Sequence, residues 1–306
     1  MSKPLVSDVH VDAIMTNISL AYRNMAFIGE QIFPAVRVVK DSDKYFKFTK
    51  SSWFTNETAV RAIGGPAKRA DWKMDTPGSY SCIEYALAKA LPDEIRTNAD
   101  NPLNPERTTT EWLTNQLLLD REIRIATLAL TAGNFTSTSS PSPKWDVYAT
   151  SDPVKDIETA KAAVQDQAMV DPNVLVMGMS VWRYLQHHPD LLDRIKYTQK
   201  AITGPDILAA IFGVDKVLIG RGKKQTAGED GATYSDIWTD SVGLYFVPST
   251  ASLETPAAGY VFESQAREAR RWREDVNKSD VFEVSWKYDE AIIAAGAGYV
   301  LTDCIT

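Results

Sequence analysis

Histidine is scarce in this chain and cysteine scarcer still. Three His and two Cys among 306 residues leave little material for a metal centre or for thiol chemistry. His187 and His188 precede Pro189. Adjacent helical residues do not face one another, so they make a poor metal pair, and a solvated helix terminus is the expected state. Cys82 and Cys304 are too few and too far apart for a disulfide framework, and a chain of this length needs none, so free thiols in a cytoplasm are expected. No apolar run opens the chain between Met1 and Asp12, so no signal peptide is read. The most apolar late stretch, Ala291 to Leu301, is too short to cross a bilayer. The expectation is a soluble protein made inside a cell, with no membrane contact.

Catalytic signatures are missing too. Gly178-Met-Ser180-Val-Trp182 carries Trp where a nucleophile elbow needs its second Gly. In Gly220-Arg-Gly222-Lys-Lys224, a phosphate loop's first Gly falls on Val217 and no Ser or Thr follows Lys223, so a turn is expected. Asp93 and Glu94 imply no acid–base partner. Arg267, Arg270, Arg271 and Arg273 are the densest basic cluster. Glu263, Glu268, Glu274 and Asp275 interleave with them, which favours a salt-bridge lattice over a phosphate site. The net charge of -7 argues against a dedicated nucleic-acid binder, whose affinity comes from neutralising phosphates. No catalytic residue, cofactor or metal is expected, and the weight moves from enzyme to assembly or scaffold protein.

What is present begins with one long helix. Asn104 suits an N-cap, Pro105 the first helical position and Glu106 the positive end of the helix dipole. Gly133 and Asn134 are candidates for a left-handed C-cap. The rod between them spans roughly 40 Å at 1.5 Å per residue. Trp112, Leu119, Ile123, Ala126 and Leu130 form one apolar seam, while Leu113, Leu117, Ile125 and Leu128 lie opposite among Asp120, Arg121 and Arg124. A helix apolar on two sides is covered either by two layers of its own domain or by a neighbouring chain.

Residues 1 to about 25 read as an arm lying on something else. Lys44 to Lys50 alternates, with Phe46 and Phe48 on one face, and Ser79 to Ala88 alternates again, with Ile83, Tyr85 and Leu87 together. Between them, Ser51 to Gly78 shows no period and carries Gly64-Gly65-Pro66 and Pro77-Gly78. Two strands around such a segment imply an extended hairpin with little core of its own, either an arm across a neighbour or a surface loop. Phe135 to Pro143 is the best internal boundary signal. From 153 to about 250, helices and short strands alternate as in an α/β domain. Ser180 is read as a helix cap there, Gly213 as a helix stop and Gly220 to Gly231 as an exposed loop. The ending is β: Tyr260 and Phe262 begin a strand, Val281 to Tyr288 alternates, and Ala291 to Leu301 reads as a strand buried on both faces.

In this order the elements resemble the major capsid protein of tailed bacteriophages, the Hong Kong 97-type fold. IGEQIFPAVRVVKDSDKYFKF (28–48) is similar to the family's arm-to-loop passage, and YSCIEYALAKALPDEIRTNAD (80–100) to the strand returning before the spine helix. PNVLVMGMSVWRYLQHHPDLLDRIKYTQK (172–200) and ILAAIFGVDKVLIGR (207–221) resemble its axial domain. RRWREDVNKSDVFEVSWKYDEAIIAAG (270–296) resembles its peripheral hairpin and final strand. The resemblance implies an α+β fold with an N-terminal arm (1–43) and an extended β-hairpin loop (44–88). It further implies a peripheral domain with the spine helix (89–150 and 251–290) and an inserted α/β axial domain (151–250 and 291–306).

The function it implies is self-assembly of copies into hexamers and pentamers of an icosahedral head. That shell would enclose double-stranded DNA without sequence-specific binding. The chain starts almost at the arm, so a separate scaffolding protein and a portal are expected, with a decoration protein as an optional further partner. The place is the virion, after assembly in the host cytoplasm. Trp53, Phe54 and Trp72 are candidate loop anchors, because buried aromatics dominate interface energetics. Lys68 and Arg69 of the loop and Arg267, Arg270 and Arg271 complete the candidate subunit interface. Two other readings stay open at this point: a tail-tube or baseplate subunit, and an α/β hydrolase or transferase with its site in 153–250.

Overall fold

The side-chain oxygen of Asn104 accepts a hydrogen bond from the Arg107 N–H at 3.1 Å, and the helix starts at Pro105, as its capping residues dictate. The structure, a computed structural model, describes residues 10–11, 15–16, 19, 27–48, 56–61, 63–71, 74–98, 104–195, 204–226, 233–252, 255 and 257–306. Its first half contains β1 His10–Val11, α1 Gly29–Ile32, β2 Ala35–Arg37, β3 Ser42–Phe48, β4 Met74–Ser81, β5 Ile83–Pro92, α2 Asp93–Thr97 and the spine helix α3 Pro105–Leu130. Then come β6 Ser137–Ser139, α4 Pro153–Ala168, β7 Val174–Gly178, α5 Met179–Leu185, α6 Pro189–Ile195 and α7 Pro205–Phe212. The remainder is β8 Lys216–Gly220, β9 Lys223–Gln225, β10 Tyr234–Asp236, β11 Val242–Tyr245, β12 Gly259–Glu274, β13 Ser279–Ile292 and β14 Gly298–Leu301.

Two sheets organise these elements. One runs β1-β12-β13-β5, with β2 also on β12; the other, β6-β14-β11-β7-β8, is the sheet of the α/β part. The α/β sheet is mixed: β7 with β8 and β14 with β6 are parallel, while β11 is antiparallel to both β7 and β14. Helices α4, α5 and α7 cover it over a core that includes Trp145, Ile157, Val181, Leu208 and Phe212. The C-terminal half of α3 sits in a second core with Phe33, Val176, Trp238, Tyr245, Val261 and Trp286, which come from both sheets. The spine helix is therefore the layer that joins them.

Several expectations need correction. The helix does not end in a left-handed cap: Thr131 is extended (φ -75, ψ 112), and a 3-10 turn follows. The Asn134 amide donates to the Leu128 carbonyl at 2.9 Å, doing with a side chain what a left-handed Gly does with backbone. Of the two apolar faces, the one opposite the Trp112 seam is the more deeply buried. Leu113, Leu117 and Ile125 are buried, with Thr110, Thr114, Arg121 and Glu122 among them, whereas Trp112 is 45% exposed. Buried polar side chains on that face hid it from a hydrophobic count. Leu119, Ile123 and Leu130 of the expected seam are only partly covered.

Ser79 to Ala88 is not one strand. The chain changes partner at Cys82, β4 pairing with β3 and β5 with β13, and β4 already begins at Met74, so Pro77-Gly78 lies in a strand. Ala291 to Leu301 is not one strand either. It ends β13, makes a 3-10 turn at Ala295–Ala297 and enters the other sheet as β14. That crossing lies beside the opposite one: Ala258 N–H donates to Phe246 O, Phe246 N–H to Ala297 O, and Ile293 N–H to Ala258 O. Thr136 N–H adds a bond to Ala295 O. Gly178, not Ser180, precedes α5, and Gly220 to Gly231 contains β9, paired with β10. Gly213 does stop α7 in the left-handed region, at φ 60. Met15 and Ser19 of the arm are buried against the chain's own α3 instead of lying on something else.

Leu113 is fully buried, so Leu113→Ala is expected to destabilise the unassembled subunit by about 2–5 kcal/mol. Asn104→Ala loses one cap, about 1 kcal/mol. Urea titration of both variants checks the ranking, and equal losses would contradict it.

Candidate assembly surface

The foot of the extended hairpin is fixed by aromatic stacking. Tyr45 of β3 and Tyr80 of β4 both stack on Phe262 of β12, with ring centroids 5.4 and 4.6 Å apart. Gly78 lets the Tyr45 ring cross the neighbouring strand, since a Cβ there would lie 2.1 Å from it. Beyond the foot the described residues bury nothing. Residues 56–61 and 63–71 are exposed apart from half-covered Gly65, and Val60 and Ile63 are fully exposed. Local polar contacts shape this part: Arg61 Nε donates to Gly65 O at 2.5 Å, and Lys68 sits 3.5 Å from Glu57. Lys68 and Arg69 are exposed here. Trp53, Phe54 and Trp72, and the side chains of Phe46 and Phe48, lie outside the described residues.

The basic cluster forms the expected lattice, though its main partners come from elsewhere than the interleaved acids. Arg273 grips Asp93 with two bonds of 2.5 and 2.7 Å, Arg271 and Arg96 converge on Asp280, and Glu106 lies within 3.6 Å of both. Burial alone would raise Asp280, but Arg271, Arg273 and Arg96 outweigh it and hold the carboxyl below its ordinary range. The Arg273 bonds likewise hold Asp93 low. Arg267 is buried against the Trp286 ring at 5.0 Å, and Arg270 pairs with Glu268 at 3.4 Å. These three candidate interface arginines thus spend at least part of each side chain inside their own subunit.

One residue that sequence reasoning passed over links the parts. Glu122, on α3 and buried, accepts from the Ile28 N–H and the Gly29 N–H, each at 2.9 Å, and from Trp238 Nε1–H at 2.7 Å. Burial pushes its carboxyl up, and the three donors pull it back. The next residue, Arg121, reaches Glu30 of α1 at 2.7 Å and lies 4.5 Å from the Trp286 ring centre. Trp238 is itself wedged at the ends of β7 and β8. A Cβ on Gly220 would come within 2.1 Å of its ring, and one on Gly178 within 2.3 Å of its carbonyl. The root of the arm, the spine and the α/β sheet therefore meet at one carboxylate. The signal available was a Glu between the apolar positions Leu118 and Ile125 of the helix.

No family model matches the chain. It is 28% identical over 303 residues to the major capsid protein of Burkholderia phage BcepMu, covering 95% of this chain and 96% of that one. Its structure is similar to that of a phage-related protein from Bordetella bronchiseptica RB50, at 26% identity and a TM-score of 0.78, covering 96% and 97% of the two chains. The capsid structure of cyanophage P-SCSP1u shares the fold at 8% identity and a TM-score of 0.60, covering 98% and 92%. The chain is thus similar over nearly its whole length to a phage major capsid protein and has the Hong Kong 97-type fold.

Within this capsid fold one cluster imitates a hydrolase. Ser151 Oγ lies 2.9 Å from His188 Nε2, and Asp190 is 3.8 Å from Nδ1. The hydrogen bonds run the wrong way for a nucleophile and its base. Asp190 N–H donates to Nδ1 at 3.4 Å, so the ring proton sits on Nε2 and is given to Ser151, whose own proton goes to Val147 O at 2.9 Å. His188 is fully buried, which corrects the expectation of a solvated terminus; His187 is the exposed one. The His188 ring caps α6 and ties it to the segment before α4. Among the described residues no group of His, Cys, Asp or Glu could hold a metal ion, and no helix is long and apolar enough to cross a membrane.

Glu122→Ala is expected to cost about 3 kcal/mol or more, because three donors lose their acceptor, each worth about 1–3 kcal/mol. Urea unfolding followed by Trp fluorescence reads it, and a loss under about 1 kcal/mol would remove Glu122 from this role. Burial lowers His188 below the ordinary His pKa. Below about pH 6.5 the unfolded chain takes up a proton that the folded ring refuses, so this stabilisation is complete above that pH and falls away as pH drops toward the folded value. Thermal unfolding of the subunit between pH 7.5 and 5.5 should show this loss, and His188→Gln should flatten it. An equally steep profile in the variant would assign the effect to other groups.

Proposed function

We propose that copies of this chain assemble as hexamers and pentamers into the icosahedral shell of a phage head enclosing double-stranded DNA. The observation that carries this reading is the extended hairpin. Its foot is locked by Tyr45 and Tyr80, while Val60 and Ile63 beyond it have no cover within the subunit. Ordering an exposed segment costs conformational entropy that contacts with other copies can offset, so shell formation stabilises the loop by mass action. The capsid homologue matched from end to end supports the same reading.

In this proposal residues 1–43 are the arm, 44–88 the loop, 89–150 with 251–290 the peripheral domain, and 151–250 with 291–306 the axial domain. Trp53, Phe54, Lys68, Arg69 and Trp72 are the loop's contact residues. Arg267, Arg270 and Arg271 add an interface through whatever part of each side chain the internal lattice leaves accessible. The chain acts by binding and not by catalysis. A separate scaffolding protein and a portal are its proposed partners, with a decoration protein as a possible addition. The virion is its destination, and the host cytoplasm its place of assembly.

Deleting Gly64 to Arg69 should leave a folded, soluble subunit that forms no shells, read by circular dichroism and electron microscopy. Normal closed particles from that deletion would remove the loop from the mechanism.

A further inference from the structure

The long sheet has two outer edges, and the chain treats them differently. The outer edge of β12 is met by the same chain at three places. β2 pairs with Val261 to Glu263, Val38 N–H donates to Glu263 O, and β1 pairs with Arg270 and Arg271. Between them a side chain takes the place of a strand. Thr16 Oγ1 accepts from the Ala269 N–H at 3.0 Å and donates to the Ala269 carbonyl at 3.3 Å. The same segment is pinned to α3. Ser19 and Thr114, both fully buried, have hydroxyls 2.9 Å apart, and Met15 Sδ lies 3.3 Å from Thr110 Oγ1. Met15 fills the small core of Leu91, Leu113, Leu117, Ala269 and Phe282.

The other edge is open. Among the described residues β5 pairs only with β13, and Ile83 is 57% and Leu87 36% exposed. A strand edge with unpaired N–H and C=O groups is a template for another chain. A sheet with both edges open can add copies head to tail, β5 of one on β12 of the next. That contact is heterologous and need not close, so it grows filaments.

We propose that His10, Val11, Met15, Thr16 and Ser19 of the arm act as a strap that holds the β12 edge within its own subunit and thereby bars head-to-tail sheet addition. Of the sheet's two edges only β5 is then left open to another copy, and assembly is steered from open strands of subunits to closed particles. This goes beyond the shell reading and rests on it only for the word closed; the strap itself is a property of the single subunit. The polar contacts at Thr16, Ser19 and Thr114 fix its position, since a slipped arm leaves the Ala269 N–H without the acceptor that Thr16 supplies.

The test is a lock. The Ser19→Cys/Thr114→Cys variant places two thiols where the hydroxyls now meet, within disulfide reach. Oxidised, it should run as a monomer on a non-reducing gel, both as free subunit and after assembly, and should form particles in the same yield as its reduced form. A ladder of cross-linked oligomers from particles would place the arm on a neighbour and overturn the strap. So would an oxidised form that fails to assemble while the reduced form succeeds. A second chain lacking residues 2–19 should form rods or filaments that bind thioflavin T; closed particles in normal yield, or a folded monomer that makes no filaments, would overturn it as well. If even the unmodified protein forms no particles, the shell reading fails. The free-subunit cross-link and the truncated chain still decide the strap.

Discussion

A single buried carboxylate ties the root of the arm, the spine and the α/β part of this subunit together. Glu122 carries a charge that burial disfavours, and only the Ile28 and Gly29 amides and the Trp238 indole answer it. Those donors come from the root of the arm and from the turn preceding β11, more than ninety residues away on either side. Each must therefore be in place at once. Apolar packing around Phe33, Tyr245 and Trp286 supplies most of the burial there, but apolar contact is non-directional. The carboxylate adds direction, and with it one arrangement of spine, arm root and α/β sheet.

The same principle shapes the seam between the spine and the long sheet. Arg124 lies over Tyr85 at 3.7 Å and over Tyr288 at 4.9 Å, and Arg121 lies over Trp286 at 4.5 Å. Guanidinium groups between aromatic rings do the work that leucines do in most helix–sheet contacts. Cation–π contacts of this kind contribute roughly 0.5–2 kcal/mol each, more when shielded from water. They are also oriented, so they reinforce the single register that Glu122 imposes. Burial raises the Tyr288 hydroxyl while Arg124 beside it pulls the other way, the electrostatic sign of a cation held against a phenol away from solvent.

Local chemistry was legible in the sequence, and changes of partner were not. Asn104 and Pro105 marked the start of the spine because a cap is a matter of three or four consecutive residues. The order of arm, loop, spine and α/β part could be read for the same reason. Which of the spine's two apolar faces lies deeper was not legible, because Arg121 and Glu122 count as polar until their partners are known. The switch at Cys82 leaves no trace in alternation, since both strands alternate alike. The apolar run 291–301 was taken for one strand because burial on all sides erases any period. His188 shows the converse error: a residue type associated with surfaces and metals is fully buried as a cap. The candidate assembly surface was legible as composition, in a loop without a core, but its foot on Phe262 depends on a strand nearly two hundred residues further on.

The paired crossings between the sheets have a mechanical meaning. The chain passes from one sheet to the other near Phe246 and Ala258 and returns through Ile293 to Ala297, and the two passages are hydrogen-bonded side by side. Two tethers bound together define a line, where one tether would define only a point. The two sheets are thus joined along a line at their rim and through the spine helix in their middle, so the load between them is shared by two separate connections.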